Sequence, residues 1–192
     1  MRTGIALLWV FAMAFAADSH AAGKAPPLIV ELDLYSDSLG IPSGWDFSFE
    51  QAREFGVRLV FFQDGATFHS SDSVMYVKEL CQRKCTGRLR QEISDVLENA
   101  RARDPNITVS EGGPITAKSG ATAQVRILIG AKDPLRAKEA LAFLEYREAV
   151  VLVVLSTKNP AHWKQDYDAL SDLLAKHEFF TCSSPNLRVP CR

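Results

Sequence analysis

The chain has 192 residues, 47% of them hydrophobic, and a formal net charge of −1. A chain of this length can bury one ordinary core and is too short for two ordinary domains to be expected. Lysine and arginine are interspersed with aspartate and glutamate, without the basic stripe typical of nucleic-acid binding. These features favour a single domain and argue against a nucleic-acid partner.

The first 21 residues have the pattern of a secretory signal peptide. Arg2 supplies a positive charge, and the apolar run 5–17 is shorter than a membrane-spanning helix needs. We expect cleavage after Ala21, with Ala16 as the alternative site. The protein would then be periplasmic or secreted, without stable membrane insertion after cleavage of the signal.

The cysteines predict disulfide bonds. All four lie in the part that would be exported, where an oxidising environment permits stable bridges: Cys81, Cys85, Cys182 and Cys191. We prefer the two sequence-local pairs, because the first brackets a polar turn and the second brackets a proline-containing loop. If 81–85 were one continuous helical turn, its geometry would suit a bridge poorly and cross-pairing with the tail would be the alternative.

The first half of the chain predicts a β-meander. Apolar residues recur at every second position from 28 to 34, and aromatic residues do so from 45 to 49, which is the period of a strand with one buried face. Further strands are predicted at 57–62 and 74–80. The three alternating aromatic residues are expected on one sheet face: Trp45, Phe47 and Phe49.

Two amphipathic helices are predicted, at 88–103 and at 160–178. Both have apolar residues three and four positions apart, and Asn159 followed by Pro160 has the pattern of a helix start. The first helix ends at Asp104, because the next residue is proline. These helices are expected to pack on a sheet.

The segments between the helices predict the centre of that sheet. Residues 122–129 alternate as a strand does, and 150–155 are apolar on both faces, as in a central strand covered by layers on each side. The stretch 134–147 is ambiguous. Its helix propensity is high, whereas several of its apolar residues also alternate.

Two places carry a resemblance to a known family. They are the early aromatic strand with its partner (44–47 and 59–62) and the segment 140–145 leading into 151–156 and the capped final helix. On these residues the chain resembles the PsbP-like α/β/α sandwich family of small exported or lumenal bacterial and plastid proteins. The resemblance implies that 138–146 is a strand, against its propensity. It also implies a non-catalytic assembly, binding or accessory role, and it carries over no catalytic residues.

The fold class is therefore predicted to be α+β: a single α/β/α sandwich with a mostly antiparallel sheet flanked by amphipathic helices. Residues 22–180 would form the domain. Residues 181–192 would form a tail that contains two of the cysteines.

Two polar segments raise the question of catalysis. The loop 69–73 (His69-Ser70-Ser71-Asp72-Ser73) contains every residue type of a serine-hydrolase triad, but a triad needs groups that converge from different backbone elements. A polar loop is the simpler interpretation. Cys81 and Cys85 have C-x₃-C spacing rather than the C-x-x-C of thioredoxin-like sites, which favours a structural bridge over a redox pair.

No metal or cofactor site is predicted. His162 and Asp166 lie one helical turn apart and could face one ion, but two ligands do not make a site. His177 is in register with the apolar face of the final helix, which favours a partly buried, hydrogen-bonded side chain. Four carboxylates lack the spacing of a calcium loop and are interpreted as strand-edge and turn residues: Asp33, Asp37, Asp46 and Glu50.

The function predicted from the sequence is that of an exported, non-enzymatic binding or accessory protein with a protein partner in the cell envelope. The alternative is an envelope enzyme, either a hydrolase using the 69–73 loop or a thiol oxidoreductase using Cys81 and Cys85. A third interpretation is a chain that adds its sheet edge to another protein.

Overall fold

In a computed structural model of the chain, the described residues are 28–32, 35–82, 85–130, 137–146, 149–176 and 178–181. The predicted signal peptide and most of the predicted tail lie outside them. The signal, the domain boundaries and the Cys182–Cys191 pair therefore stay predictions.

The described chain alternates between strands and helices. The strands are β1 (Leu28–Leu32), β2 (Tyr35–Leu39), β3 (Trp45–Ser48), β4 (Leu59–Gln63), β5 (Ser73–Gln82), β6 (Thr108–Glu111), β7 (Ile115–Thr116), β8 (Thr122–Ile129), β9 (Lys138–Glu145), β10 (Ala149–Thr157) and β11 (Glu178–Thr181). The helices are α1 (Phe49–Glu54), α2 (Leu89–Arg103) and α3 (Trp163–Lys176), the last preceded by a 3-10 turn, Pro160–His162. In the described ranges, no helix combines the length and apolar character needed to cross a membrane.

The strands form two sheets. In the main sheet the order is β3-β4-β5-β10-β9-β8-β6, and β7 also pairs with β8. A smaller sheet has the order β1-β2-β11. Every strand pair in both sheets is antiparallel, so the α+β prediction is confirmed.

β10 lies at the centre of the main sheet and is buried along its whole length. Its side chains point alternately to the two faces, as strand geometry requires. Val151, Val153 and Leu155 belong to the core beneath α3, whereas Leu152 and Val154 belong to the core beneath α2. The predicted central strand is confirmed, and its apolar character on both faces follows from the two helical layers.

Helices cover both faces of the main sheet. On one face, α3 buries three leucines against the sheet: Leu170, Leu173 and Leu174. On the other face, α2 buries a stripe of residues spaced as helix periodicity requires: Ile93, Leu97 and Ala100. The short helix α1 covers the same face nearer the sheet edge, with Ala52 packed on Val60 and Phe62. The predicted α/β/α sandwich is present.

β9 is the element on which propensity and the family resemblance disagreed. The strand spans Lys138–Glu145, so the resemblance was right and the helix propensity was misleading. Leu141 and Phe143 pack beneath α2, while Ala140 and Ala142 pack beneath α3. Burial on both faces outweighs the few tenths of a kcal/mol per residue, roughly, by which propensity favours a helix.

The aromatic strand ends earlier than its alternation predicts. Trp45 and Phe47 lie in β3 and pack with the α3-side core, but Phe49 begins α1 and is 39% exposed. The prediction that the three rings share one face is therefore wrong. The Ser48 hydroxyl accepts a hydrogen bond from the Gln51 backbone N–H at 3.1 Å, which caps the new helix.

Other element boundaries also differ from the prediction. The single strand expected at 28–34 is replaced by the hairpin β1–β2, and the last helix ends at Lys176 before β11. β6 and β7 were not predicted. The predicted start of the final helix is present, since the Asn159 side chain accepts a hydrogen bond from the backbone N–H of Ala161 at 3.1 Å.

Candidate functional site

A buried polar cluster lies where the start of β5, the end of β10 and the first turn of α3 meet. The Ser73 hydroxyl donates to Asp166 Oδ2 at 2.5 Å, and Ser73 Oγ lies 2.8 Å from Thr157 Oγ1. Asp166 is only 1% exposed, and the two hydroxyl residues are fully buried. Buried polar groups destabilise a fold unless they are hydrogen-bonded. The hydrogen bonds of this cluster satisfy its members and, in doing so, connect three elements of the fold.

Burial raises the pKa of the Asp166 carboxyl above its usual value. Hydrogen bonds from Ser73 and Thr157 and the charge of His162 act in the opposite direction, but desolvation is the largest effect. The folded protein therefore holds a proton on Asp166 more readily than the unfolded chain does.

The two residues considered as a metal pair have different surroundings. His162 is exposed in the 3-10 turn, whereas Asp166 is buried and engaged by Ser73. The described ranges contain no group of three or more histidine, cysteine, aspartate or glutamate side chains that could hold a metal ion. His177 lies outside the described residues.

The four candidate calcium carboxylates are dispersed. Asp46 Oδ1 accepts a hydrogen bond from the Phe47 backbone N–H at 2.8 Å, and Glu50 lies in the first turn of α1, where its charge favours the helix. Asp33 lies outside the described residues, and Asp37 is placed in β2 without a described side chain.

The 69–73 loop does not assemble a catalytic triad. The Ser70 hydroxyl bonds with Thr67, and the Ser71 hydroxyl donates to the Ser73 carbonyl at 2.6 Å. No hydrogen bond joins the His69 ring to a hydroxyl of this loop, all of which lies within the described chain. Lys158 Nζ instead donates to the carbonyls of His69 and Ser71, at 3.1 and 2.8 Å, and holds the loop to the end of β10.

Aromatic rings immediately after α1 and at positions 68–69 form a surface feature that we call the aromatic patch. It consists of Phe55, Phe68 and His69, with the Phe55 ring 4.5 Å from Phe68 and 5.1 Å from His69 between centroids. Phe55 is 43% exposed, and His69 is also exposed. The Phe68 N–H donates to Gln51 Oε1 at 2.9 Å, which fixes the loop on the helix.

The edge of the sheet at β3 is protected against strand addition. Asp64 N–H donates to the Gly44 carbonyl, so by alternation the N–H groups of Trp45 and Phe47 point away from β4. The first donates to the Pro42 carbonyl, and the second donates to Asp46. Because both outward donors are already used, the β3 edge does not favour the sheet-extension interpretation.

Cys81 and Cys85 have their sulfur atoms 2.22 Å apart, at bonding distance, with their Cα atoms 5.9 Å apart. Cys81 lies in β5 rather than in a helical turn, which removes the geometric objection to a local bridge. Cys85 is fully buried. The Glu145 carboxylate accepts hydrogen bonds from the N–H groups of Gly87 and Leu89, at 2.7 and 3.4 Å, and caps the start of α2.

A cleft of about 310 Å³ lies between the second half of α2 and the sheet, and we call it the α2 cleft. Its apolar lining comes from both layers: Leu80, Val96, Ala100, Leu128, Leu141, Leu152 and Val154. Its polar lining is Tyr76, Lys78, Asn99, Arg103 and Glu139. Sequence reasoning missed this site, because Lys78 and Arg103 have no local pattern that separates them from other surface cations.

Comparison with solved structures identifies the architecture. The solution structure of cyanobacterial PsbP (CyanoP) from Synechocystis sp. PCC 6803 matches 83% of this chain and 96% of its own, with a TM-score of 0.52 and 12% identity. The chain has a PsbP-like fold. Neither the protein-family comparison nor the search of curated proteins gives a match.

The PsbP-like fold confirms the resemblance seen in the sequence at the level of architecture. At 12% identity the likeness shows the fold alone, and residue roles have to come from this chain's own geometry.

Proposed function

We propose that the protein is an exported, non-enzymatic binding or accessory protein that docks on a protein partner in the cell envelope. The aromatic patch is the observation that carries the proposal. Aromatic side chains are enriched in protein interfaces and supply many of their strongest contacts. The PsbP-like fold supports the proposal by resemblance, since that family is expected to be mostly non-catalytic.

The patch is preorganised for binding. Its three rings contact one another, Phe68 packs partly into the core beside Ala52, and Gln51 holds the backbone of the loop. A rigid surface loses little conformational entropy when a partner docks. The exposed rings therefore offer apolar area at a low ordering cost.

The enzyme alternatives have less support in the geometry. The hydroxyls of Ser70 and Ser71 are bonded within their own turn, and the Ser73 hydroxyl is buried against Asp166. The Cys81–Cys85 bridge has one fully buried partner, which limits the access that thiol exchange requires. Both features have structural roles.

Site-specific photo-crosslinking in the native host tests the docking surface. A benzophenone amino acid at position 55 is expected to give one discrete adduct with a single envelope protein, since Phe55 would be covered by the partner. Phe55→Ser is expected to weaken the isolated complex about thirtyfold, the effect of losing roughly 2 kcal/mol at an aromatic hot spot.

Position 129 provides a matched control. Ile129 is another large exposed hydrophobic residue, at 48% exposure, on β8 far along the sheet from β3. The same crosslinker there should give no adduct, and Ile129→Ser should leave the affinity unchanged. Equal adducts from both positions, or none from position 55, would contradict the proposal.

Export is tested separately by the mass and location of the protein. Fractionation of the host should recover the chain from the periplasm or the medium, beginning at Ala22 after loss of residues 1–21. Intact-mass measurement checks the terminus. A chain recovered in the cytoplasm with Met1 or Arg2 at its terminus would rule out export while leaving the docking test unaffected.

A further inference from the structure

The α2 cleft has the features of a small-molecule site that is separate from the aromatic patch. Its volume of about 310 Å³ lies at the small end of the roughly 300–1,000 Å³ range of ligand sites. Five of the sheet residues that line the cleft are aliphatic: Leu80, Leu128, Leu141, Leu152 and Val154. A ligand that fits there has a small apolar body.

The charges in the cleft indicate what the ligand carries. Lys78 and Arg103 lie in its lining and are exposed, and neither forms an ion pair with any described residue. By contrast, Arg58, which precedes β4, and Arg126 of β8 each pair with a glutamate. The two cations are therefore open to an anion from solution.

Glu139 limits the charge of that anion. Its carboxyl group belongs to the cleft lining and is largely buried. A phosphate dianion would bring two negative charges close to this carboxyl group, whereas a carboxylate brings one.

From this arrangement we infer that the α2 cleft binds a small aliphatic carboxylate. The alkyl chain lies between α2 and the sheet, and the carboxylate lies between Lys78 and Arg103. Arginine presents a planar fork suited to carboxylates, and lysine adds a second charge. The site lies on the α2 side of the sheet and does not depend on the aromatic patch or on its partner.

Calorimetric titration of the purified protein with decanoate, below its micellar concentration, tests the inference. Saturable one-to-one binding is expected. Decanamide has the same shape without the charge and should bind at least about tenfold more weakly. Arg103→Gln and Lys78→Gln should each weaken decanoate binding about tenfold while leaving decanamide binding unchanged.

Arg101→Gln is the matched control, because Arg101 lies on the same helix, is exposed and does not line the cleft. It should leave decanoate affinity within twofold of the unsubstituted chain. Absence of saturable binding, equal affinity for decanoate and decanamide, or an equal loss in Arg101→Gln and Arg103→Gln would each overturn the inference.

Discussion

Phe143→Ala is expected to lower the free energy of unfolding by about 3–5 kcal/mol, the range found when a buried aromatic residue is cut back to alanine. Phe143 is fully buried in the middle of β9 and packs in the core with Ile93 and Leu97 of α2. Removal of its ring leaves a cavity between helix and sheet that neither rigid layer can close. Urea unfolding measures the loss as a lower transition midpoint.

Phe55→Ala is the matched control for this effect. The same atoms are deleted, but Phe55 is partly exposed at the end of α1, so the expected loss is under about 1 kcal/mol. A similar loss in the two variants would mean that β9 is not sandwiched between two layers. The control also separates folding from partner binding, since Phe55→Ala should still disrupt docking.

β9 shows what local sequence can and cannot determine. Its alanine, leucine and glutamate residues favour a helix by propensity, and nothing within eight residues says that both faces will be covered. The information that decides the outcome lies in distant elements, since Ala140 and Ala142 meet α3 while Leu141 and Phe143 meet α2. The family resemblance supplied that missing tertiary context.

β10 and α2 were predictable because the pattern of apolar residues in each element shows which of its faces is covered by another layer. A run that is apolar at every position requires cover on both faces, and a helical stripe requires one apolar neighbour. The short helix α1 was missed because three aromatic residues at alternate positions also suit a strand. The Ser48 cap was visible in the sequence, but serine is common in turns and carries little information alone.

The candidate sites were harder to predict than the fold. Asp166 was considered as a possible metal ligand because His162 is nearby in sequence, yet its hydrogen-bond donor, Ser73, is 93 residues away. The α2 cleft likewise combines residues from four strands and one helix. Which of these distant residues become neighbours depends on the register of the strands in the sheet. A single sequence does not show that register.

Ser73→Ala is expected to lower the free energy of unfolding by about 1.5–3 kcal/mol at a pH above the raised pKa of Asp166, because it then removes a hydrogen bond to a buried charged group. Below the usual aspartate pKa the carboxyl is protonated, and the expected loss falls to about 1 kcal/mol. Ser70→Ala is the control. Its hydroxyl bonds with Thr67 in an exposed turn, so the expected loss is under about 1 kcal/mol and independent of pH.

Asp166→Asn tests the same cluster through the pH dependence of stability. Since burial raises the folded-state pKa of Asp166, the folded chain binds more protons than the unfolded chain between the usual value of 3.8 and the raised one. Stability therefore falls as the pH rises through that window. Asparagine still accepts from Ser73 through Oδ1 but does not ionise.

The stability of Asp166→Asn relative to the unsubstituted chain should thus increase as the pH rises through this window, and it should be constant on either side. Urea unfolding of both chains between pH 3 and 7 measures the difference, in which contributions from all other carboxyls cancel. A difference that stays flat would show that hydrogen bonds balance desolvation at Asp166, and one that decreases with rising pH would show that they outweigh it. The carboxylate would then stabilise the junction of β5, β10 and α3 by its charge.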